Sequence, residues 1–143
     1  MSQLEKYKDH FVLHLEAGFI AVNQADEDSA LKLFKAAETL NPESPLPQIG
    51  LGYLAFHKLE LQKAIEIFDA VLAKDSGNVM AKTFKGMCLS LSPNKTAEGE
   101  KILHEVAQGA GDNDAKAVAD NAIDFVEKYV KKPISPADLQ AKK

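Results

Sequence analysis

The chain has 143 residues, of which 45% are hydrophobic and 27% are charged, and these proportions are typical of one soluble globular domain. The formal net charge is -4 and all 17 basic residues are lysine, so the basic face and the guanidinium groups that bind nucleic acid are missing. The single cysteine excludes an internal disulfide, and with no signal peptide and no apolar run long enough to cross a bilayer we expect a cytoplasmic protein that contacts no membrane.

Apolar residues recur at helical spacing along almost the whole chain. A capping-box pattern, Ser2 with Glu5, predicts that the first helix begins at Gln3. The last helix is expected to be capped by a residue among 112–114 and to end before Pro133. Seven helices are predicted, at about 3–23, 27–40, 45–58, 61–74, 78–91, 96–108 and 112–132.

Several residues are expected to start or stop these helices. Proline loses no hydrogen bond at the first helical position, so Pro45 predicts the start of the third helix. Asn78 and Thr96 are predicted to cap the fifth and sixth helices. Gly109 and Gly111 are expected to end the sixth helix, because glycine tolerates the left-handed conformation that often follows a helix end.

Small and large apolar residues repeat about every 34 positions. The glycines of this pattern are Gly18, Gly52 and Gly86, the small residues that follow are Ala30, Ala64 and Gly99, and the large residues are Phe34, Phe68 and Leu103. The second half of the third unit arrives one residue late, so we place an insertion between Ser92 and Thr96. We expect each glycine to face the small residue of its own unit, with the large residue filling the space toward the next unit.

This pattern resembles the tetratricopeptide repeat (TPR), over about 100 residues of the chain. The resemblance implies an all-α fold with three helix-turn-helix repeats in a right-handed superhelix, an N-terminal helical extension and a C-terminal capping helix. The expected single TPR domain covers 1–132, and a flexible C-terminal tail covers 133–143. Within it the repeats are expected at about 11–44, 45–78 and 79–111, and the capping helix at about 112–132.

The resemblance also implies that the first helix of each repeat lines a concave face. The expected groove residues are Val12, Leu15, Phe19, Val22, Leu46, Ile49, Tyr53, Phe56, Met80, Thr83, Phe84 and Met87. An apolar groove of this kind is typical of a surface that binds another protein, here the apolar side of a helix. Two other interpretations stay open, namely that some of these residues are core or that a segment of this chain fills the groove. Leu4, Tyr7 and Phe11 form a possible second interface.

Small TPR proteins with an apolar concave face resemble the chaperones of bacterial type III secretion, which hold a needle or translocator subunit in the cytoplasm until export. The resemblance predicts a protein-binding chaperone that buries an amphipathic helix of a small client, with a second small co-chaperone or self-association as further partners. The alternative is a general TPR scaffold or self-assembling adaptor without a secretion role.

The residues that carry enzymatic chemistry are sparse and isolated, so no enzyme activity, cofactor or metal is expected. His10 and His14 have a spacing that suits zinc, but no third ligand is apparent nearby. Cys88 lies within an apolar helix and lacks a supporting histidine pair. The glycines at positions 50 and 52 fall inside a helix and do not form a phosphate-binding loop.

Overall fold

The computed structural model of the protein describes residues 3–109 and 113–130, apart from the side chains of residues 4, 5, 7, 113–115 and 129. These described residues are largely helical and include no β-strand, which confirms the all-α prediction. The helices are α1 (Gln3–Asn23), α2 (Glu27–Leu40), α3 (Leu46–His57), α4 (Leu61–Lys74), α5 (Val79–Leu91), α6 (Thr96–Gln108) and α7 (Asn113–Phe125). A π-helical turn, Val126–Val130, follows α7. In the part of the chain that is described, no helix has both the length and the apolar character needed to cross a bilayer.

Polar side chains cap several helix starts. The Asp26 carboxylate accepts a hydrogen bond from the Ser29 N–H at 3.1 Å, at the start of α2. Asn78 does the same for α5, with its Oδ1 atom 2.9 Å from the Ala81 nitrogen, which confirms its predicted role. These side chains satisfy backbone N–H groups that have no partner within the helix.

Two predicted helix ends are wrong in detail. Gly109 follows α6 with φ -67° and ψ 130°, which is extended backbone and not the left-handed conformation expected of it. Lys95 occupies the N-cap position of α6, and the Thr96 hydroxyl donates instead to the Ser90 carbonyl at 3.1 Å. The predicted capping box at residues 2–5, Gly111, the capping side chain among residues 112–114 and the tail at 133–143 lie outside the described residues.

The chain divides into two compact units, residues 1–81 and the remainder from residue 82 onward, with the boundary inside α5. In the first unit α1 packs against α2 and α3, and α3 also packs against α2 and α4. Its core is built from Leu15, Ala21, Val22, Ala30, Phe34, Ala37 and Leu54. In the second unit α6 packs against α7, around Leu103, Val106 and Ala119. The predicted single domain over 1–132 stays a prediction.

The turns within the helix pairs repeat the same backbone geometry. Ala25 and Leu59, 34 residues apart, both have positive φ, at 59° and 60°. Asn94 has φ 62° but follows Leu59 by 35 residues. Because α5 ends at Leu91 and α6 begins at Thr96, this third turn has one residue more than the turns at 24–26 and 58–60. The inserted residue therefore lies in the turn and leaves the helices intact.

The repeated glycines pack against the large side chain of their own helix pair, and Gly86 also lies against Gly99 as predicted, since a Cβ atom on Gly99 would lie 2.6 Å from the Gly86 carbonyl oxygen. A Cβ atom built on Gly18 would lie 2.5 Å from Cε1 of Phe34, and one on Gly52 would lie 2.6 Å from Cε1 of Phe68. Gly86 is approached by Leu103 in the same way, at 3.0 Å. Each glycine thus lets the large residue of its own helix pair reach the helix backbone.

Candidate protein-binding site

A row of aromatic rings crosses the first unit from α1 to α3. The Phe19 ring lies 5.4 Å from the Tyr53 ring, and the Tyr53 ring lies 4.3 Å from the His57 ring, measured between centroids. His57 also contacts Phe56, edge to face at 5.9 Å. We call Phe19, Tyr53, Phe56 and His57 the aromatic face. Its three carbocyclic rings are half-buried and His57 is exposed, so the face offers ring surface to a partner while remaining anchored in the fold.

Two rings of the aromatic face, Phe19 and Tyr53, are fixed by contacts within the first unit. Phe19 meets the buried Phe34 ring edge to face, with centroids 5.2 Å apart. The Tyr53 hydroxyl donates to Oδ1 of Asn23, the last residue of α1, at 2.7 Å. Burial raises the pKa of the Tyr53 phenol above its ordinary value of 10.0, so the ring stays neutral near physiological pH. These contacts orient the rings before any partner binds, which lowers the entropy cost of binding.

Charge is distributed unequally between the helices of the first unit. The α3 helix contains no aspartate, glutamate or lysine, and residues 11–23 of α1 contain one charged residue, Glu16. In contrast, α2 carries five charged residues and α4 carries four. The helices that build the aromatic face are therefore nearly uncharged, which suits an apolar partner.

The predicted groove residues differ widely in exposure. Exposed are Val12, at 47%, and Met80. Half-buried are Phe19, Leu46, Tyr53, Phe56, Phe84 and Met87. Buried are Leu15, Val22, Ile49 and Thr83. These four buried residues are core residues, which is one of the two interpretations left open by the sequence. A partner therefore cannot contact them. Leu15 and Val22 lie on the side of α1 that joins the core cluster around Phe34.

The remaining predicted residues do not extend the aromatic face. Thr83, Phe84 and Met87 belong to the second unit, where Met87 packs against the Leu103 cluster. Phe11 packs against the core of the first unit. The side chains of Leu4 and Tyr7 lie outside the described residues.

The sequence analysis missed three exposed aliphatic residues. Leu13 and Ile20 of α1 are 60% and 55% exposed, and Leu59, in the turn after α3, is 73% exposed. The residues 34 positions after Leu13 and Ile20 are Pro47 and Leu54 of α3, and both are buried. The 34-residue repeat alone therefore does not predict that Leu13 and Ile20 are exposed.

A small apolar cleft of about 220 Å³ lies among α2, α3 and α4, with Leu31, Leu51 and Ile67 in its lining. At its rim the Lys58 ammonium is 2.8 Å from Glu27 and 2.9 Å from Glu60. Its hydrogen bonds to Glu27 and then Glu60 raise the pKa of Lys58 above its ordinary value. Because these side chains are solvent-exposed, we regard them as a surface ion-pair network.

The structure describes the surroundings of Cys88 and of the pair His10 and His14. Cys88 is fully buried, and burial raises the pKa of its thiol to about 12, so the thiolate is disfavoured at physiological pH. The His14 ring nitrogen Nδ1 lies 2.6 Å from the His10 carbonyl oxygen. Among the described side chains, no group of three or more histidine, cysteine, aspartate or glutamate residues is placed to hold a metal ion.

Comparisons of the chain with protein-family models, with curated proteins and with solved structures gave no match.

Proposed function

We propose that the chain is a protein-binding module of the TPR type that holds an amphipathic helix of a client protein on the aromatic face. The observation that carries this proposal is the row of half-buried rings on nearly uncharged helices, which includes Phe19 and Tyr53. The TPR assignment is supported by the helix pairs α1–α2 and α3–α4, whose turns share one backbone geometry at a spacing of 34 residues.

Burial of ring surface would supply the binding free energy. At about 25 cal/mol per Å², covering a few hundred Å² of apolar surface contributes several kcal/mol before the entropy cost of association. A helix suits this face because side chains at i, i+3 or i+4 and i+7 present one apolar stripe, while its backbone hydrogen bonds are already satisfied.

For the client we propose a small aggregation-prone helical protein, most specifically a subunit of a bacterial type III secretion apparatus held in the cytoplasm. In this role the chain acts by physical capping, because a client helix buried on the aromatic face is withdrawn from polymerisation and from membranes. A TPR adaptor without a secretion role is the alternative, and it would use the same face for a different helix.

Substitutions at the solvent-facing parts of this surface test the proposal. Tyr53→Glu lies on the aromatic face, and Val12→Glu lies seven residues before Phe19 and therefore on the same side of α1. Both place a carboxylate where the client helix is expected, so each should abolish co-purification of the client from the native host. Far-UV circular dichroism should be unchanged, because Val12 is half exposed and Tyr53 is only half-buried. Phe19 is less suitable, since its ring also packs against the core residue Phe34.

Leu59→Glu is the matched control, because it adds the same charge at an exposed aliphatic residue outside the aromatic face. It should leave client binding intact. If Tyr53→Glu and Val12→Glu bind the client as the parent chain does, the aromatic face is not the binding site. The identity of the captured client then separates a secretion chaperone from a general adaptor.

A further inference from the structure

One side of α1 is open where the corresponding side of α3 is covered. Leu13 and Ile20 are exposed, and because they are seven residues apart they lie on the same side of the helix. The residues 34 positions later, Pro47 and Leu54 in α3, are both buried. Leu54 belongs to the core cluster that contains Phe34 of α2, and α2 packs directly against α3. The open side of α1 therefore corresponds to the side of α3 on which α2 lies.

The residue at the centre of this open side, Glu16, differs in chemistry from Gly50, the residue at the same position of α3. Gly50 in α3 has no side chain, and a Cβ atom there would overlap the Phe34 ring of α2. The residue 34 positions earlier is Glu16, which is exposed between Val12 and Ile20. Asp9, two turns before Glu16, adds a second exposed carboxylate to this side. A ring like that of Phe34 would collide with the Glu16 side chain, and it would also leave the carboxylate without water or a counter-charge.

We propose that this side of α1, formed by Leu13, Glu16 and Ile20, binds a helix of a partner protein that carries lysine or arginine where α2 carries Phe34. Aliphatic residues of the partner helix would cover Leu13 and Ile20, as α2 covers Leu54. The basic side chain would lay its methylene stem on this apolar surface and pair its charge with Glu16. The partner helix would thus pack on α1 as α2 packs on α3, with an ion pair to Glu16 where α3 has the contact between Gly50 and the Phe34 ring.

A second copy of this chain does not fit the same side. The helices with the α2 pattern, namely α2, α4 and α6, carry Phe34, Phe68 and Leu103 at the matching position, and all three side chains are fully buried. The side adjoins the aromatic face without including its rings. Adjacent residues of a helix point about 100° apart, so Leu13 and Ile20 lie roughly a quarter turn around α1 from their neighbours Val12 and Phe19, with Glu16 between them.

Synthetic peptides based on α2 test this inference with defined probes. Residues 26–41 would be made as a helix-stabilised, fluorescent peptide in three forms, namely with Phe34 retained, with Phe34→Lys and with Phe34→Glu. Binding to the full 143-residue chain would be measured by fluorescence anisotropy. We expect the lysine peptide to bind about tenfold more tightly than the other two, which corresponds to about 1.4 kcal/mol.

Variants of the protein should change this order in a predictable way. Glu16→Gly gives α1 the same residue that α3 has at the equivalent position, Gly50. This variant should therefore bind the Phe34 peptide most tightly. Glu16→Lys should favour the Phe34→Glu peptide, and Ile20→Asp should abolish the binding of all three. Leu59→Asp is the control and should leave peptide binding unchanged, since Leu59 is exposed in the turn after α3 and lies neither on this side of α1 nor on the aromatic face.

Three results would overturn the inference. The first is equal affinity for the three peptides, and the second is lysine-peptide binding that Ile20→Asp does not weaken. The third is no detectable binding of the lysine peptide at about 1 mM, a concentration at which contacts worth about 4 kcal/mol are visible. Because Leu13, Glu16 and Ile20 are solvent-exposed, circular dichroism should show that the variants remain folded.

Discussion

At the scale of single residues, glycine lets large side chains reach the helix backbone. The Phe34 ring lies against both Gly18 in α1 and Gly50 in α3, and the Phe68 ring lies against Gly52. Glycine inside a helix costs about 1 kcal/mol relative to alanine. The close packing of two buried rings, each fully removed from water, offsets this cost.

Gly52→Ala should therefore lower the free energy of unfolding by about 1–3 kcal/mol, because the added methyl group overlaps the Phe68 ring. Urea denaturation followed by circular dichroism measures the change. Gly77→Ala is the control and should have almost no effect, since nothing lies within 4 Å of its added Cβ atom. Phe68→Leu in the Gly52→Ala background should recover part of the loss, as the Leu103–Gly86 pair is looser. Equal effects at positions 52 and 77 would contradict this account.

The sequence predicted which side of a helix is apolar better than it predicted how deeply each residue is buried. Leu15 and Phe19 are one turn apart in α1, and both were expected in an open groove. Leu15 is buried in the core, whereas Phe19 is half-buried on the aromatic face. Hydrophobic periodicity gives the direction in which a side chain points from the helix axis. Its burial depends on which side chains of the neighbouring helices cover it. The glycine contacts were missed for the same reason.

At the scale of helices, the ends of α1, α2 and α4 agree with the predicted bounds. Their stop signals are local, such as Asn41-Pro42 after α2 and the polar run 75–78 after α4. The bounds of α6 also agree with the prediction, but local signals did not give the geometry at its two ends. There the Thr96 hydroxyl bonds to Ser90 across the turn, and Gly109 leads into extended backbone. Both outcomes depend on where the chain goes next, which the residues near a helix end do not specify.

The N-cap of α2 should make stability depend on pH at the acidic end. Hydrogen bonds from Ser29 hold the pKa of the Asp26 carboxyl below its ordinary value of 3.8. Because the pKa is lower in the folded state, the ionised carboxylate stabilises the fold above about pH 4, and this contribution is lost as pH falls through the folded-state pKa. Asp26→Asn retains a capping oxygen but cannot titrate.

The free energy of unfolding of both proteins would be measured by urea denaturation at about pH 7 and about pH 3. The difference in favour of the parent chain should be larger at the higher pH. Other carboxylates titrate in both proteins and cancel in this comparison. A difference that is the same at both pH values would show that the charge of Asp26 does not stabilise α2.

At the scale of the whole molecule, the chain divides into two compact units, and the single domain over 1–132 stays a prediction. The first unit holds its own core cluster, which joins Leu15 of α1, Phe34 of α2 and Leu54 of α3. Composition and length do not reveal such a division, because the helical spacing continues without interruption through α5, where the boundary lies.

We expect a fragment of residues 1–81 to fold by itself, because it holds the core cluster in which α1, α2 and α3 pack around Phe34. The fragment should show helical far-UV circular dichroism and a single cooperative urea transition. It should also bind the α2-derived lysine peptide as the full chain does. A fragment without a cooperative transition would favour the single-domain prediction, in which the second unit is required for the core of the first.

The position of Tyr53 makes it a natural fluorescence probe of binding to the aromatic face. The chain contains no tryptophan, so its own ultraviolet emission comes from tyrosine. Tyr53 lies in the middle of the aromatic face, between Phe19 and His57. A bound helix that contains one tryptophan would accept excitation energy from Tyr53. Binding to the unlabelled protein could then be followed as a loss of tyrosine emission and a gain of tryptophan emission.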